Sequence, residues 1–379
     1  MEKISIVLCL THRCNLKCVY CYEHHDSNHE MSYDTAKAII DNVPTIFDPS
    51  KSHFEFLLFG GEPLLRFELI KEITSYISSR PWLSSYSIFA PTNGTAISSD
   101  MKNWFQKNRH IITLGLSLDG TKETQDQNRS NSYDKIDFGF FKDTWPSQNV
   151  KMTISRQSLS NYAKDVMYIH SLGFGINGAD FCIGTQDWQD KSFLRIFATQ
   201  MERLVDFYTS DNNAERYYNS IFQKDLAKCA VANKPQIKFC GIGSTFLFFD
   251  TDGQQYPCTM LTPMNLSSKE LEELKKIDYS NTNEFIDEGC FKSCFIYPIC
   301  NSCYAGNYIA NKSFKEYKKD ECALKEIEAI YLAEYYARRI VQSPSFLDGE
   351  RLYLTIEAIK QIKDILLPKY ADIVKGDFD

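Results

Sequence analysis

The sequence lacks a long apolar run and an excess of positive charge. No segment approaches the roughly 18 apolar residues that a helix needs to cross a bilayer. The first ten residues, MEKISIVLCL, are interrupted by Ser5, and no small-residue cleavage site precedes His12 and Arg13, which is unlike a secretory signal. The formal net charge of −7 argues against nucleic acid as a partner. We therefore expect a cytoplasmic protein that has neither a membrane segment nor a nucleic-acid partner.

Cysteine, by contrast, is abundant. The 379 residues include 13 cysteines, and a reducing compartment disfavours disulfides, so clustered cysteines there more often bind metal or carry out redox chemistry. Four of them lie between Cys9 and Cys21, and seven lie between Cys240 and Cys322. Cys9 and Cys182 lie in strand-like runs and are expected to be small core residues. The sequence thus has two cysteine-rich regions separated by a cysteine-poor stretch.

The cysteine-poor stretch alternates between strand-like and helix-like patterns. Predicted strands cover 4–10, 54–59, 86–91, 112–118, 150–155 and 173–183. Predicted helices cover 31–47, 64–77, 98–109, 137–145, 160–171 and 191–208. Six strand–helix units predict an α/β fold with a parallel sheet, arranged as a partial (β/α)6 barrel of the TIM type.

Four polar motifs lie at or after the ends of four of these strands. They are CNLKCVYC at 14–21, GGEP at 60–63, TNG at 92–94 and SLDG at 117–120. In such folds chemistry gathers at the carboxyl ends of the strands, so the four motifs are expected to form one site. The three thiols of the first motif leave a fourth metal position open. Either His12, His24 or His25 completes a zinc site, or the position is reserved for a molecule outside the chain.

The motif C-x3-C-x2-C, with Tyr20 before the last cysteine and GGEP after the second strand, resembles the radical S-adenosylmethionine (SAM) superfamily. The resemblance implies that Cys14, Cys18 and Cys21 hold three irons of a 4Fe–4S cluster. SAM would bind the fourth iron through its amino and carboxylate groups and release a 5′-deoxyadenosyl radical. Three soft thiolates suit such a cluster. The missing ligand would then be the cosubstrate.

The same resemblance implies a set of SAM-binding residues. Gly60 and Gly61 would let backbone groups approach the ligand, Glu62 would accept from the methionyl ammonium, and Pro63 would stiffen the turn. Arg129 would pair with the methionyl carboxylate, unless it is an ordinary surface arginine. The remaining candidates are polar or aromatic side chains near strand ends: Tyr20, Asn93, Ser117 and Asp119.

The second cysteine-rich region resembles the SPASM extension of radical SAM enzymes, which binds auxiliary 4Fe–4S clusters. The gaps here are x3, x5 and x2 between Cys290 and Cys303, whereas the family usually has x2, x5 and x3. By analogy, one auxiliary cluster would be held by Cys240, Cys258, Cys303 and, as a fourth ligand, Cys229. The other would be held by Cys290, Cys294, Cys300 and Cys322. The alternatives are an open iron in place of the Cys229 ligand, and zinc ribbons for the whole block.

The resemblance divides the chain into three predicted domains. A radical SAM partial barrel covers 1–225, a SPASM domain covers 226–325, and a C-terminal helical extension covers 326–379. Ala323 to Val341, across the start of the extension, is predicted to be a helix. Further on, an apolar stripe at helical spacing is expected to pack onto the barrel. That stripe consists of Ile356, Ile359, Ile362, Ile365 and Leu366.

The family implies an enzyme that modifies a peptide. One subclass matures ribosomally made precursor peptides by forming carbon–carbon (cyclophane) or thioether cross-links. The other, the sulfatase-maturating enzymes, oxidises Cys or Ser to formylglycine and typically has an aspartate after the cysteine of the G-x4-C motif, where this chain has Thr259. Because a threonine hydroxyl is not a useful base at neutral pH, we favour the peptide maturases. A remote alternative is a non-catalytic iron–sulfur electron carrier.

The expected cofactors and partners follow from this function. The cofactors are three 4Fe–4S clusters and SAM, with an external electron donor of flavodoxin or ferredoxin type. The first strand begins near Ile4, which leaves no room for an N-terminal leader-binding domain. Leader binding would then need the SPASM surface, the C-terminal helices or a separate leader-binding protein, which would be a partner beside the precursor peptide. Asp180, near the end of the sixth predicted strand, is the candidate acid–base residue.

Overall fold

The computed structural model describes residues 1–23, 28–181, 190–231 and 238–374, apart from the side chains of 179–181 and 320. The chain divides into two compact units that interleave along the sequence. The first unit comprises Met1–Lys151, Leu172–Phe174 and Cys240–Asn281, and the second comprises Met152–Ser171, Gly175–Phe239 and Thr282–Asp379. The three consecutive domains predicted from the sequence remain a prediction.

Strands and helices alternate through the first half of the chain, as predicted. The strands are β1 (Glu2–Cys9), β2 (Ser52–Phe59), β3 (Ser85–Thr92), β4 (Ile112–Leu116), β5 (Val150–Ile154), β6 (Ile176–Phe181), β7 (Phe246–Phe249) and β8 (Gln255–Tyr256). The first six overlap the six predicted strands, and the α/β fold class is confirmed.

The main sheet belongs to the first unit and has the order β4-β3-β2-β1-β7-β8. Strands β1 to β4 and β7 are parallel, and β8 is antiparallel to β7. Strand β1 lies between β2 and β7, so that Leu8 is opposite both Leu58 and Phe249. Strands β5 and β6 pair separately. The carboxyl ends of β1 to β4 therefore meet at one edge.

The central position of β1 explains its composition. A parallel strand with neighbours on both sides is covered on both faces, so it reads as a continuous apolar run. Ile4, Ile6, Val7 and Leu8 are fully buried. Strand β2 alternates buried and half-buried residues instead.

The helices, including several short ones, connect the strands and form the C-terminal part. They are α1 (Tyr33–Asn42), α2 (Phe67–Ser79), α3 (Ser99–Lys107), α4 (Lys122–Asn128), α5 (Phe138–Thr144), α6 (Tyr162–Ser171), α7 (Lys191–Thr209), α8 (Asn213–Arg216), α9 (Ser268–Leu274), α10 (Glu288–Ser293), α11 (Tyr304–Asn311), α12 (Cys322–Gln342) and α13 (Gly349–Lys369).

Local chemistry sets several helix ends. Ser32 caps α1 by accepting a hydrogen bond from the Thr35 amide at 3.0 Å. The predicted helix at 31–47 is too long, because α1 ends before Pro44 and a 3₁₀ turn, Val43–Ile46, continues the chain. Helix α4 was not predicted, since its sequence KETQDQN has no apolar stripe.

The two C-terminal helices pack together in the second unit. Helix α13 contacts α12 and the 3₁₀ turn Leu226–Ala230, so the predicted packing of its apolar stripe onto the barrel is corrected to these two elements. Ile362 and Leu366 of the stripe are buried, but Ile365 is 54% exposed. Within the described residues, no helix is long and apolar enough to span a membrane.

Candidate active site

The loop that follows β1 carries three thiols close enough to affect one another. None of Cys14, Cys18 and Cys21 forms a disulfide. Burial, together with the neighbouring thiols, raises the pKa of Cys14 to about 12 and that of Cys21 to about 11. Thiols with such pKa values are protonated at neutral pH, and they release their protons when they bind a metal. Three soft donors on one short loop fit the iron–sulfur cluster expected from the sequence.

Gly60 and Gly61, at the end of β2, lie against the backbone that leads into this loop. A Cβ at Gly60 would be 2.4 Å from the Thr11 carbonyl oxygen, and one at Gly61 would be 2.6 Å from the Arg13 carbonyl oxygen. The Gly61 amide donates to Thr11 at 3.0 Å and the Glu62 amide donates to Arg13 at 2.9 Å. The close approach that requires glycine here is therefore to the chain's own cysteine loop.

Glu62 ties the ends of β2 and β3 together. Its side chain is 1% exposed and accepts from the Leu64 amide at 3.1 Å, from Thr92 Oγ1 at 2.9 Å and from the Asn93 amide at 2.8 Å. Burial raises the pKa of Glu62 to about 7, against the opposing effect of these hydrogen bonds. Its predicted contact with the methionyl ammonium stays a prediction. Pro63 begins the 3₁₀ turn that follows.

Asn93 connects this glutamate to the cysteine loop. Its Nδ2 donates to Asn15 Oδ1 at 2.8 Å and lies 4.0 Å from Cys14 Sγ, while its Oδ1 accepts from the Thr95 amide at 2.9 Å. Ser117, another predicted contact, follows β4, and its amide donates to the Thr92 carbonyl at 2.9 Å. The ends of β1, β2, β3 and β4 thus meet through short polar contacts.

Asp119 and Arg129, both buried, form a cluster beside Cys18 with the half-buried Tyr20. Arg129 donates to both oxygens of Asp119 at 3.0 Å, and the Tyr20 hydroxyl donates to Asp119 as well. The Arg129 guanidinium lies 5.4 Å from the centre of the Tyr20 ring. Burial raises the pKa of the Cys18 thiol, and the Arg129 charge opposes that shift. Since Arg129 is only 7% exposed, the alternative of a surface arginine is wrong.

His12 has a partner that the sequence analysis missed. Its Nε2 lies 2.5 Å from Asp250 Oδ1, just after β7, and both side chains are buried. This hydrogen bond raises the pKa of His12 despite the opposing effect of burial. This hydrogen bond occupies Nε2, so a zinc ion held by the three thiols and His12 would have to bind Nδ1. His24 and His25, the other candidates, lie outside the described residues.

The predicted ligands of the first auxiliary cluster belong to different units. Cys240 and Cys258 are in the first unit, and Cys229 and Cys303 are in the second. Burial raises the pKa of the Cys258 thiol, and Cys240 adds to the shift. Cys229 is 3% exposed on the 3₁₀ turn Leu226–Ala230. The assignment of these four cysteines to one cluster remains a prediction.

The four cysteines of the second predicted auxiliary site line one pocket of the second unit. These are Cys290, Cys294, Cys300 and Cys322. Burial raises the pKa of Cys300 to about 12 and that of Cys322 to about 11. Four thiols around one cavity fit a 4Fe–4S cluster, although the spacing of these cysteines departs from the usual family pattern.

Two predictions, Asp180 as an acid–base residue and Cys182 as a core residue, concern side chains that the structure does not describe. Asp180 lies in β6, but its side chain is outside the described part of the structure. Cys182 is outside the described residues altogether. The acid–base role of Asp180 stays a prediction.

Comparison with known proteins agrees with this geometry. Residues 8–137 match the family model of the Radical SAM superfamily. The cysteine-type anaerobic sulfatase-maturating enzyme of Clostridium novyi is 25% identical over 76% of this chain and 84% of its own length. The corresponding enzyme of Clostridium perfringens strain 13 is 24% identical over 76% of this chain and 83% of its own length. The chain carries a radical SAM domain, and its cofactors are 4Fe–4S iron–sulfur clusters and SAM.

Two solved structures share the fold. The structure of native anSMEcpe with bound AdoMet aligns with a TM-score of 0.64 and 20% identity, over 89% of this chain and 98% of that one. The structure of Streptococcus suis SuiB bound to precursor peptide SuiA aligns with a TM-score of 0.56 and 16% identity, over 84% of this chain and 76% of that one.

The donor sets predict the iron content of the protein. We expect anaerobically reconstituted protein to contain about 12 irons and as many sulfides per chain, because three cysteine sets would each hold four irons. Iron and sulfide analysis, with zinc measured on the same sample, checks this number. About four irons, or stoichiometric zinc, would exclude the auxiliary clusters.

Proposed function

We propose that this chain is a radical SAM/SPASM peptide maturase that forms a cross-link in a ribosomally made precursor peptide. The bond is a carbon–carbon bond of cyclophane type or a thioether. The observation that carries the choice is Thr259, next to Cys258, whose Oγ1 accepts a hydrogen bond from the Tyr22 hydroxyl at 3.2 Å. This position therefore offers neutral hydroxyls where the sulfatase-maturating enzymes typically have a carboxylate.

The chain's own residues have separate tasks in this proposal. When bound, the iron–sulfur cluster and SAM supply the radical that removes a hydrogen atom from the peptide. Cys14, Cys18 and Cys21 hold the cluster, and Asn93 and Glu62 keep the cysteine loop at the strand ends. Arg129 places a buried positive charge beside Cys18, where it can also meet the methionyl carboxylate.

The four-cysteine pocket gives the reaction a place for a one-electron acceptor. After one hydrogen atom has left the peptide, closing a new carbon–carbon or carbon–sulfur bond requires the loss of one more electron and one proton. Cys290, Cys294, Cys300 and Cys322 would hold an acceptor with the right chemistry. Asp180 is our candidate for the group that takes the proton.

The partners follow from the same proposal. The precursor peptide is the substrate, and an electron carrier of flavodoxin or ferredoxin type is the reductant. The leader binds a separate protein, the SPASM surface or the C-terminal helices. One structural neighbour, SuiB, is bound to its precursor peptide SuiA, which supports a peptide substrate. We also place the enzyme in the cytoplasm, where reduced thiols persist.

Formylglycine formation is the second candidate. It is favoured by the relatives named as sulfatase-maturating enzymes, which this chain matches over about three quarters of its length. Against it stands Thr259, since no carboxylate occupies the position that typically carries the base in that reaction.

Mass spectrometry of a co-expressed precursor peptide distinguishes the two functions. We expect a loss of about two mass units for each cross-link, because the peptide gives up one hydrogen atom and then one proton and one electron. The chain lacking the three loop cysteines serves as the control and should leave the mass unchanged.

Other outcomes would reject the cross-link. An unchanged mass with deuterium incorporated from solvent would indicate epimerisation. Conversion of Cys or Ser to an aldehyde in a sulfatase-derived peptide would establish formylglycine formation instead.

A further inference from the structure

One lysine lies directly on a sulfur of the four-cysteine pocket. Lys319 Nζ is 2.9 Å from Cys290 Sγ, which is hydrogen-bonding distance. The same ammonium donates to Asp287 Oδ2 at 2.7 Å. Lys319 is therefore held between a carboxylate and a cysteine that we assign as a cluster ligand.

Asp287 holds this arrangement in place from both sides. It is the N-cap of α10, and its Oδ1 accepts from the amide of Cys290 at 2.9 Å. Its Oδ2 accepts from the Tyr317 amide at 3.2 Å in addition to Lys319. One carboxylate thus fixes the backbone of Cys290 and the segment that carries Lys319, and it holds the ammonium beside the sulfur although the Lys319 side chain is 59% exposed.

Neighbouring lysines of the pocket have other partners. Lys318 Nζ lies 3.0 Å from Glu321, and Lys325 lies 3.8 Å from Glu328. Lys292, on α10, lies 2.7 Å from Glu288 at the surface. Lys292 carries the same charge on the same short helix as Cys290, which makes it a matched control for Lys319.

We propose that Lys319 is a positioning residue that raises the reduction potential of the cluster held by Cys290, Cys294, Cys300 and Cys322. A positive donor on a ligand sulfur stabilises the reduced cluster, which carries one more negative charge than the oxidised one. The inference rests on the auxiliary cluster of the proposed function. It assigns this cluster a potential suited to accepting an electron.

A redox titration followed by electron paramagnetic resonance tests the inference on the full reconstituted chain without peptide. The titration uses the background Cys14→Ala, Cys18→Ala, Cys21→Ala, so that the first cluster does not contribute to the spectrum. We expect Lys319→Met to lower the reduced-to-oxidised ratio of one cluster about tenfold at a fixed applied potential. For a one-electron couple this corresponds to a decrease of about 59 mV in the reduction potential. Lys319→Arg should fall between this variant and the parent, and Lys292→Met should match the parent.

Two results would overturn the inference. The first is an unshifted reduction potential in Lys319→Met with its iron content intact. The second is an equal shift in Lys292→Met, which would show that the loss of any positive charge near the cluster has the same effect. Lys319→Gln provides a second neutral side chain should Lys319→Met lose iron, and an unshifted potential there has the same meaning. A shifted potential together with a peptide that is never cross-linked would reject the proposed function alone.

Discussion

Replacing Cys14, Cys18 and Cys21 together by alanine should abolish the cleavage of SAM to 5′-deoxyadenosine by the reduced protein. The three thiols lie on the loop after β1, where Cys18 and Cys21 raise the pKa of Cys14 and Cys18 raises the pKa of Cys21, and they are the soft donors of the loop. Without them the loop cannot hold the cluster that delivers the electron. Chromatography of the deoxyadenosine formed after dithionite reduction measures the effect.

Loss of cleavage must be separated from loss of folding. The triple variant should keep about eight irons in its auxiliary sites, which shows that the chain still folds. Cys9→Ala is the matched control, because Cys9 is a buried core cysteine whose thiol donates to the Thr11 carbonyl at 3.8 Å. That variant should retain both cleavage and iron. Cleavage that survives in the triple variant would defeat the assignment of the site.

Arg129→Met should destabilise the first unit by about 3–5 kcal/mol, the usual effect of leaving a buried charge without its partner. Asp119 has no exposed surface and would lose both hydrogen bonds from the guanidinium. Two neutral donors would remain on Asp119, namely the Tyr20 hydroxyl and Asn128 Nδ2, which is 3.1 Å from Asp119 Oδ2. Neither can neutralise the charge of the carboxylate. The midpoint of urea denaturation, measured anaerobically, reports the change.

A second variant and a surface control sharpen this test. Adding Asp119→Asn to Arg129→Met removes the unpaired charge and should recover part of the lost stability. Arg195→Met removes an exposed arginine, 3.7 Å from Asp372, and should change the free energy of unfolding by at most about 1 kcal/mol. Equal effects of Arg129→Met and Arg195→Met would show that the buried pair does not stabilise the unit.

Local patterns in the sequence were sufficient for much of the fold. Strand β1 is mostly apolar because it is covered on both faces, and its end was predicted within one residue. Once the strands are known to be parallel, the motifs after β1 to β4 must meet at one edge. The cysteine loop, GGEP, Asn93 and Asp119 were therefore placed together correctly before any contact was known.

Short elements and mixed patterns could not be recognised in this way. Strand β7 has only four residues, FLFF, and it joins the sheet beside β1 although more than 230 residues separate the two. Helix α4, which ends just before Arg129, has no apolar periodicity to reveal it. Such elements are stabilised mainly by packing against neighbours that are remote in sequence, so their own residues do not reveal them.

The sequence by itself determined the first six strands, the donor types and the spacing of the cysteines, since these depend on residues close together along the chain. Only the tertiary structure decided which polar groups meet. His12 and Asp250 are 238 positions apart, and the Lys319 ammonium reaches the Cys290 thiol across 29 positions. Only the fold shows that Gly61 adjoins Arg13 and that Arg129 is buried against Asp119. Backbone approach and burial depend on how distant segments pack, and that information does not reside in any short stretch of residues.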